Sequence, residues 1–172
     1  MKKIVLTFGL ISGAVLSVMM LLTIPFMDRI GFSRAEVIGY ATMVAAFLLV
    51  FFGVRAYRDQ MAGGTLTFGR GFVVGLLITV VASVCYVATW EVIYFKMAPG
   101  FAEKYAAYAI ESVKRSGASQ EKIDATTRQM QTFKQMYDNP LTNAAMTFVE
   151  PLPVGILVSV ISAVALRKKR AA

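Results

Sequence analysis

Four long apolar segments restrict what this chain can fold into. They cover about residues 4–24, 36–54, 71–94 and 144–166, and each contains at most one charged side chain. A helix needs about 20 apolar residues to cross a bilayer core of roughly 30 Å. Lipid offers no hydrogen-bond partners, so a spanning segment must satisfy its backbone internally as a helix. The sequence therefore predicts an all-α, polytopic membrane protein with four transmembrane helices in a single membrane domain over residues 1–172.

The overall composition agrees with lipid as the solvent. Of the 172 residues, 57% are hydrophobic and 16% are charged, whereas soluble domains carry about 25% charged residues. The first apolar segment follows a basic start, as in a signal peptide. It is longer than a signal-peptide core and closes on Pro25 and Asp28 rather than on small residues. We expect it to be a retained span.

Residues 96–143 differ in kind from the four spans. They contain seven basic and five acidic residues, with apolar positions at helical spacing. One helix is expected over about 100–116 and is ended by Gly117. A second is expected to begin after Ser119 as its N-cap and to stop at Asn139 and Pro140. The sequence predicts an extracytoplasmic helical hairpin between the third and fourth spans.

Basic residues indicate the orientation. Lys2, Lys3, Arg55, Arg58, Arg70 and the run from Arg167 to Arg170 flank the apolar segments on one side. Such an excess is typical of the cytoplasmic side. Both termini are therefore predicted to be cytoplasmic. The net charge of +8 is therefore interpreted as a sign of membrane orientation rather than of nucleic-acid binding. We expect no nucleic-acid partner.

Catalytic and metal-binding chemistry is poorly represented. The chain has no histidine and one cysteine, Cys85, which removes the commonest metal ligand and general base. We expect no enzyme activity, no metal and no cofactor.

Two acids inside apolar segments are the candidate functional residues. Glu91 and Glu150 are expected at similar depth near the outer surface, where they could bind a cation or relay a proton. The alternative is structural, since Glu91 could reach water and Glu150 precedes two prolines. Trp90 and Tyr94, with Tyr86, are expected to form an interfacial aromatic belt rather than a ligand cage.

Two further sets of residues have structural interpretations. The first, in the predicted cytoplasmic loop, is expected to be a positive-inside anchor with one local ion pair; it comprises Arg55, Tyr57, Arg58 and Asp59. The second places small residues at every fourth position, which lets helices approach closely in lipid. It includes Gly9, Gly13, Gly71, Gly75, Gly155 and Ser159. Packing within the bundle and a homodimer seam both remain open.

Several of these motifs together resemble a bacterial family. They are Arg55-x-Tyr-Arg-Asp59, Gly63-Gly64-x-x-Thr67-Phe-Gly69, the Trp90 to Tyr94 cluster and Glu150-x-Leu-Pro-Val-Gly155. The chain resembles domain-of-unknown-function family 4199 over nearly its whole length. The resemblance implies a four-span bacterial inner-membrane protein and brings no activity or site residues with it.

The function expected from these observations is that of a non-enzymatic accessory or envelope-interaction protein that acts through its outer hairpin. Its expected partners are the lipid bilayer and a second copy or a membrane or periplasmic protein. The alternative is a small oligomeric transporter or channel that moves a cation or proton through Glu91 and Glu150.

Overall fold

A computed structural model describes residues 1–168 of the chain. The first half contains two long helices joined by a short helical turn. Its elements are α1 (Lys2–Thr23), a 3-10 turn (Ile24–Phe26), α2 (Met27–Ile30) and α3 (Phe32–Met61). Helical structure continues beyond the predicted end of the first span, to Ile30. Only Gly31, with φ of +82°, interrupts it, a backbone conformation that glycine adopts without steric cost.

The second half contains the predicted hairpin between two apolar helical segments. Its elements are α4 (Phe68–Val92), a π turn (Ile93–Met97), α5 (Phe101–Arg115), α6 (Gln120–Asp138), α7 (Pro140–Val149) and α8 (Leu152–Ala165). Gly117, with φ of +71°, follows α5. The Ser119 hydroxyl accepts from the Lys122 backbone N–H and caps α6. The two hairpin helices thus begin and end as the sequence predicts.

Four helical segments are long and apolar enough to cross a membrane. They run over Lys2–Ile30, Phe32–Met61, Phe68–Met97 and Pro140–Ala165, with mean hydropathies from 2.0 to 2.4. At most 39% of the most apolar stretch of each is buried by the protein itself. Large aliphatic side chains such as Leu10, Leu48 and Leu157 are more than half exposed. This outward apolar surface is what a bundle presents to lipid.

Small residues form the contacts between these helices. A Cβ added to Gly9 would lie 2.6 Å from the Cβ of Val81, which shows how closely α1 approaches α4. A Cβ on Gly75 would lie 2.8 Å from Ser159 Oγ, where α4 crosses α8. The other predicted small residues lie in the same two seams: Gly13 faces Cys85, Gly71 faces Ala163 and Gly155 faces Thr79. The structure therefore places all six inside one bundle.

The fourth span is broken near its outer end. Helix α7 stops at Val149, and α8 starts at Leu152 after a turn at Glu150 and Pro151. Pro151 and Pro153 lack the N–H groups that would bond the preceding turn, which interrupts the helical ladder. The break sets the Glu150 side chain at a bend rather than along a straight helix.

The basic residues that flank the apolar segments, Lys2, Lys3, Arg55, Arg58 and Arg70, gather at one end of the bundle. Phe8 of α1 lies beside Gly53 of α3, so the start of α1 and the end of α3 share this end. Leu66, before α4, forms a two-bond backbone bridge with Lys168, at N–O distances of 2.9 and 3.0 Å. Lys169 and Arg170 of the predicted terminal cluster lie outside the described residues. The hairpin covers the opposite end.

Candidate functional site

The hairpin is docked on the bundle through aromatic side chains. The Phe32 ring, at the start of α3, lies 5.9, 5.7 and 5.1 Å from the ring centroids of Phe101, Tyr105 and Tyr108 on α5. The half-buried stripe of α6 consists of Ile123, Thr127, Met130, Phe133 and Tyr137. The apolar faces expected from the sequence are thus used within the molecule.

A buried hydrogen-bond network joins α4 to the start of the fourth span. Trp90 Nε1 donates to Asn143 Oδ1 at 3.0 Å, and Asn143 Nδ2 donates to the Tyr137 carbonyl at 3.0 Å. Thr147 Oγ1 donates to the same Asn143 oxygen at 3.2 Å. Asn143 is fully buried, where a polar group without partners would be costly. The amide therefore fixes α4, α6 and α7 relative to one another.

Trp90 and Tyr94 differ from the interfacial belt expected of them. They are only 7% and 8% exposed, and both lie beneath the hairpin. The Tyr94 hydroxyl donates to Asp138 Oδ1 at the end of α6 at 3.2 Å. Tyr94 lies in the π turn, in which Ala98 N–H bonds the Ile93 carbonyl at 2.8 Å. The wider turn shifts the register of the last residues of the third span.

A cavity of about 290 Å³ lies between the bundle and the hairpin. Its walls come from α1, α2, α3, α4, both hairpin helices and the break in the fourth span. Four tyrosines line it, Tyr40, Tyr86, Tyr105 and Tyr137. Trp90, Phe101 and Phe133 line it as well, together with four methionines, Met19, Met20, Met27 and Met43. This mixture of apolar body and few polar groups is typical of a small-molecule site.

Within residues 1–168, the two charged side chains that line this cavity are both acidic. Glu36 comes from the start of α3, and Glu150 from the break in the fourth span. Tyr86 donates from its hydroxyl to Glu150 Oε2 at 3.1 Å, which orients that carboxylate. Both glutamates are exposed, and Tyr40, which also lines the cavity, is 49% exposed. The cavity is therefore open on the side where α3 and the broken span part.

Glu91 does not share this site with Glu150. It is half-buried, does not line the cavity, and its Oε1 is a buried atom with no hydrogen-bond partner within residues 1–168. The two acids proposed from sequence as a pair are thus separated. Glu150 is instead combined with Glu36 and Tyr86. Within the described part of the chain, no cluster of three or more His, Cys, Asp or Glu side chains could hold a metal ion.

The four residues predicted for the cytoplasmic loop lie at the other end, on the last turns of α3. Arg58 Nε lies 2.7 Å from Asp59 Oδ1, and Arg55 Nε lies 3.7 Å from Asp59 Oδ2. Asp59 therefore contacts two arginines rather than one. Tyr57 packs against the hydrophobic core of the bundle.

Ion pairs hold the hairpin together and to the bundle. Lys134 Nζ of α6 lies 2.8 Å from Glu103 Oε1 of α5, and this hydrogen bond lowers the pKa of Glu103 and raises the pKa of Lys134. Lys104 Nζ lies 2.9 Å from Asp28 Oδ2 of α2. Burial at the cavity wall raises the pKa of the Tyr105 and Tyr137 hydroxyls, which keeps them neutral hydrogen-bonding groups.

Sequence reasoning missed three residues that build this site. The first is Glu36, which stood at the edge of the second predicted apolar segment. The second is Tyr40, which lies four residues later on the same face of α3. Asn143 looked like a boundary residue of the fourth apolar segment. The sequence did contain a signal for Asn143: an amide side chain beside an apolar segment needs hydrogen-bond partners once it is buried.

Comparison with known sequences bears directly on this architecture. The sequence model of a family described as "protein of unknown function (DUF4199)" matches residues 7–168. The chain belongs to this family. The match covers all four apolar helical segments and the hairpin of this DUF4199 protein, as the resemblance of its motifs implied. No curated protein and no solved structure matches it.

Proposed function

We propose that this DUF4199 protein is a non-enzymatic accessory protein of the bacterial inner membrane whose hairpin is an extracytoplasmic interaction surface. The observation that carries the proposal is the way in which α5 and α6 are held. Their apolar stripes are used against the bundle, and the Trp90–Asn143 bond fixes the base of the hairpin. A rigid surface loses little conformational freedom when a partner binds.

The outward face of the hairpin is polar and fits a protein partner in water. Exposed residues of α6 include Arg128, Gln129, Gln131, Thr132 and Gln135. Several hairpin charges are already paired, Glu103 with Lys134 and Glu111 with Arg115. The face therefore offers hydrogen-bonding groups without a strong field of one sign, as the rim of a protein interface does.

The orientation predicted from the basic residues, with the hairpin outside the cytoplasm, fits the same proposal. Lys2, Lys3, Arg55, Arg58 and Arg70, which flank the apolar segments, lie at the end opposite the hairpin, and such flanking basic residues are enriched on the cytoplasmic side of membranes. Single cysteines in a Cys85→Ala background test this arrangement. A Gln131→Cys side chain should react with a membrane-impermeant maleimide on intact cells, and Gln60→Cys only after permeabilisation. The reverse pattern would place the hairpin in the cytoplasm.

The interaction itself is tested with a photocrosslinking amino acid at Gln131. Gln60, exposed at the other end of the bundle, provides the matched control. Illumination of cells should give a discrete adduct from position 131 and none of the same mass from position 60. If position 131 gives no adduct, or both positions give the same ones, the hairpin is not an interaction surface.

Transport remains the second candidate because Glu150 faces an open cavity. Four spans are few for a transporter, so this function also requires an oligomer. It predicts that cation or proton flux into proteoliposomes is lost in Glu150→Gln. Because Glu91 lies outside the cavity, Glu91→Gln should retain the flux. A flux that is absent in the unaltered protein, or unaffected by Glu150→Gln, would remove this candidate.

A further inference from the structure

We infer that the cavity beneath the hairpin binds an organic cation, an ammonium group carried on an apolar body. This binding site is separate from the proposed interaction surface, because its residues point toward the bundle and not toward the outer face of α6. The inference does not depend on a protein partner.

Charge determines the sign of the ligand. The cavity contains the carboxylates of Glu36 and Glu150, and no Lys or Arg lines it within residues 1–168. This is unusual in a chain with 18 basic and 10 acidic residues. Two like charges in a partly enclosed space repel each other and attract a positive ligand, more strongly than they would in bulk water.

Aromatic rings determine the kind of cation. Trp90 and Tyr86 line the cavity from α4, and the hairpin contributes Tyr105, Phe133 and Tyr137. Faces of such rings attract ammonium groups, and aromatic cages are a common means of binding quaternary ammonium. Ca²⁺ takes six to eight oxygen ligands, and within residues 1–168 no group of three or more His, Cys, Asp or Glu side chains could hold a metal ion.

The remaining lining fits an apolar body of variable shape. Met19, Met20, Met27 and Met43 lie on the walls formed by α1, α2 and α3. Methionine is flexible and polarisable, and it adapts to irregular apolar ligands. A cavity of about 290 Å³ is near the lower end of small-molecule sites, which hold roughly 300–1,000 Å³. It fits one ammonium group with a short chain rather than a whole phospholipid.

The chain carries its own reporter of binding. Trp90 is the only tryptophan in the sequence, and it lines the cavity. All tryptophan fluorescence of the protein therefore comes from the cavity wall, and ligand entry should change it. The probe is octyltrimethylammonium, added to the purified full chain in maltoside micelles below its own micelle concentration. Octanesulfonate, with the same chain and the opposite charge, is the matched control, and protein-free micelles correct for partitioning.

We expect a saturable change with octyltrimethylammonium and none with octanesulfonate. Glu150→Gln keeps an acceptor for Tyr86, and Glu36→Gln lies at the other wall, so both should fold. Each should weaken binding by at least about tenfold, since each removes one of two attracting charges. Glu91→Gln, outside the cavity, should bind as the unaltered protein does. Equal binding of the sulfonate, or unchanged binding in both cavity variants, would overturn the inference.

The same titration distinguishes two sources of the ammonium group. Displacement of the probe by phosphatidylethanolamine, but not by phosphatidylglycerol, would assign the site to a lipid headgroup. Displacement by neither lipid would assign it to a free organic amine. Displacement by both lipids alike would show that acyl chains occupy the cavity, which would overturn the inference. The crosslinking from Gln131 is a separate measurement, so either proposal can fail alone.

Discussion

Replacing Asn143 with Ala should release the hairpin from the bundle without unfolding the rest of the protein. The substitution leaves the indole N–H of Trp90 and the carbonyl of Tyr137 without their partners. The Thr147 hydroxyl also loses its acceptor, but it can rotate and donate instead to a carbonyl in the preceding turn of its own helix. Each stranded buried group costs about 1–3 kcal/mol. The local stability of the hairpin should therefore fall by about 2–6 kcal/mol.

Hydrogen exchange read by mass spectrometry measures this loss where it occurs. Since about 1.4 kcal/mol corresponds to a factor of ten, protection of α6 and α7 should fall about 30-fold to 10⁴-fold. Peptides from α1 should keep their protection, because α1 packs against α3 and α4. The matched control is Asn139→Ala, an exposed N-cap whose loss costs about 1 kcal/mol. Unchanged exchange in α6, or an equal rise in α1 and α6, would refute the reasoning.

A double-mutant cycle isolates the central bond. Trp90→Phe removes the donor, and Asn143→Leu removes the acceptor while keeping a similar volume. Trp90→Phe leaves Thr147 as the remaining donor to the Asn143 oxygen, and Asn143→Leu strands both the Trp90 N–H and the Tyr137 carbonyl. The double variant strands the carbonyl but no longer the indole N–H. The double variant should therefore lose less stability than the sum of the singles. Strict additivity would show that the bond contributes nothing.

Two further perturbations test packing and charge. Gly9→Ala puts a Cβ 2.6 Å from that of Val81, and this overpacking should lower stability by about 1–3 kcal/mol in thermal melts. In the control variant Gly39→Ala, the added Cβ meets nothing within 4 Å, so stability should be unchanged or higher. Equal losses of stability in the two variants would contradict close packing between α1 and α4. The bond from Lys134 holds the pKa of Glu103 below its ordinary 4.5, so its stabilisation is present above pH 4.5 and is lost as the pH falls through the lowered pKa. Proteolysis of the hairpin turn should therefore rise on acidification, and less so in Glu103→Gln.

Local signals in the sequence were sufficient for the helices. Apolar length predicted four membrane-crossing segments, and the stripes at three- and four-residue spacing predicted α5 and α6. Gly117 and Ser119 marked the hairpin turn because a positive φ and a helix cap depend on one or two residues. The sequence did not indicate that helical structure continues through Met27–Ile30, beyond the predicted end of the first span. Exposed charged side chains such as Asp28 and Arg29 are compatible with either a helix or a loop.

The partners of the acids were not predictable in the same way. Glu91 and Glu150 were expected to act together because both interrupt apolar segments at similar depth. Depth says nothing about rotation around the helix axis. The structure turns Glu150 toward Tyr86 and the cavity and leaves Glu91 outside it. Likewise, the sequence could not show whether Trp90 and Tyr94 face the membrane interface or are buried beneath the hairpin, because both arrangements use the same aromatic residues.

The sequence by itself thus determined that this chain forms four apolar helices and an amphipathic hairpin with basic residues at one end. Those properties depend on residue type and spacing along one helix. Only the tertiary structure decided which residues meet: Glu36 with Glu150 across one cavity, and Trp90 with Asn143 beneath the hairpin. The physical reason is that, in helices surrounded by lipid, packed and lipid-facing surfaces are similarly apolar. Hydropathy therefore does not indicate which face turns inward.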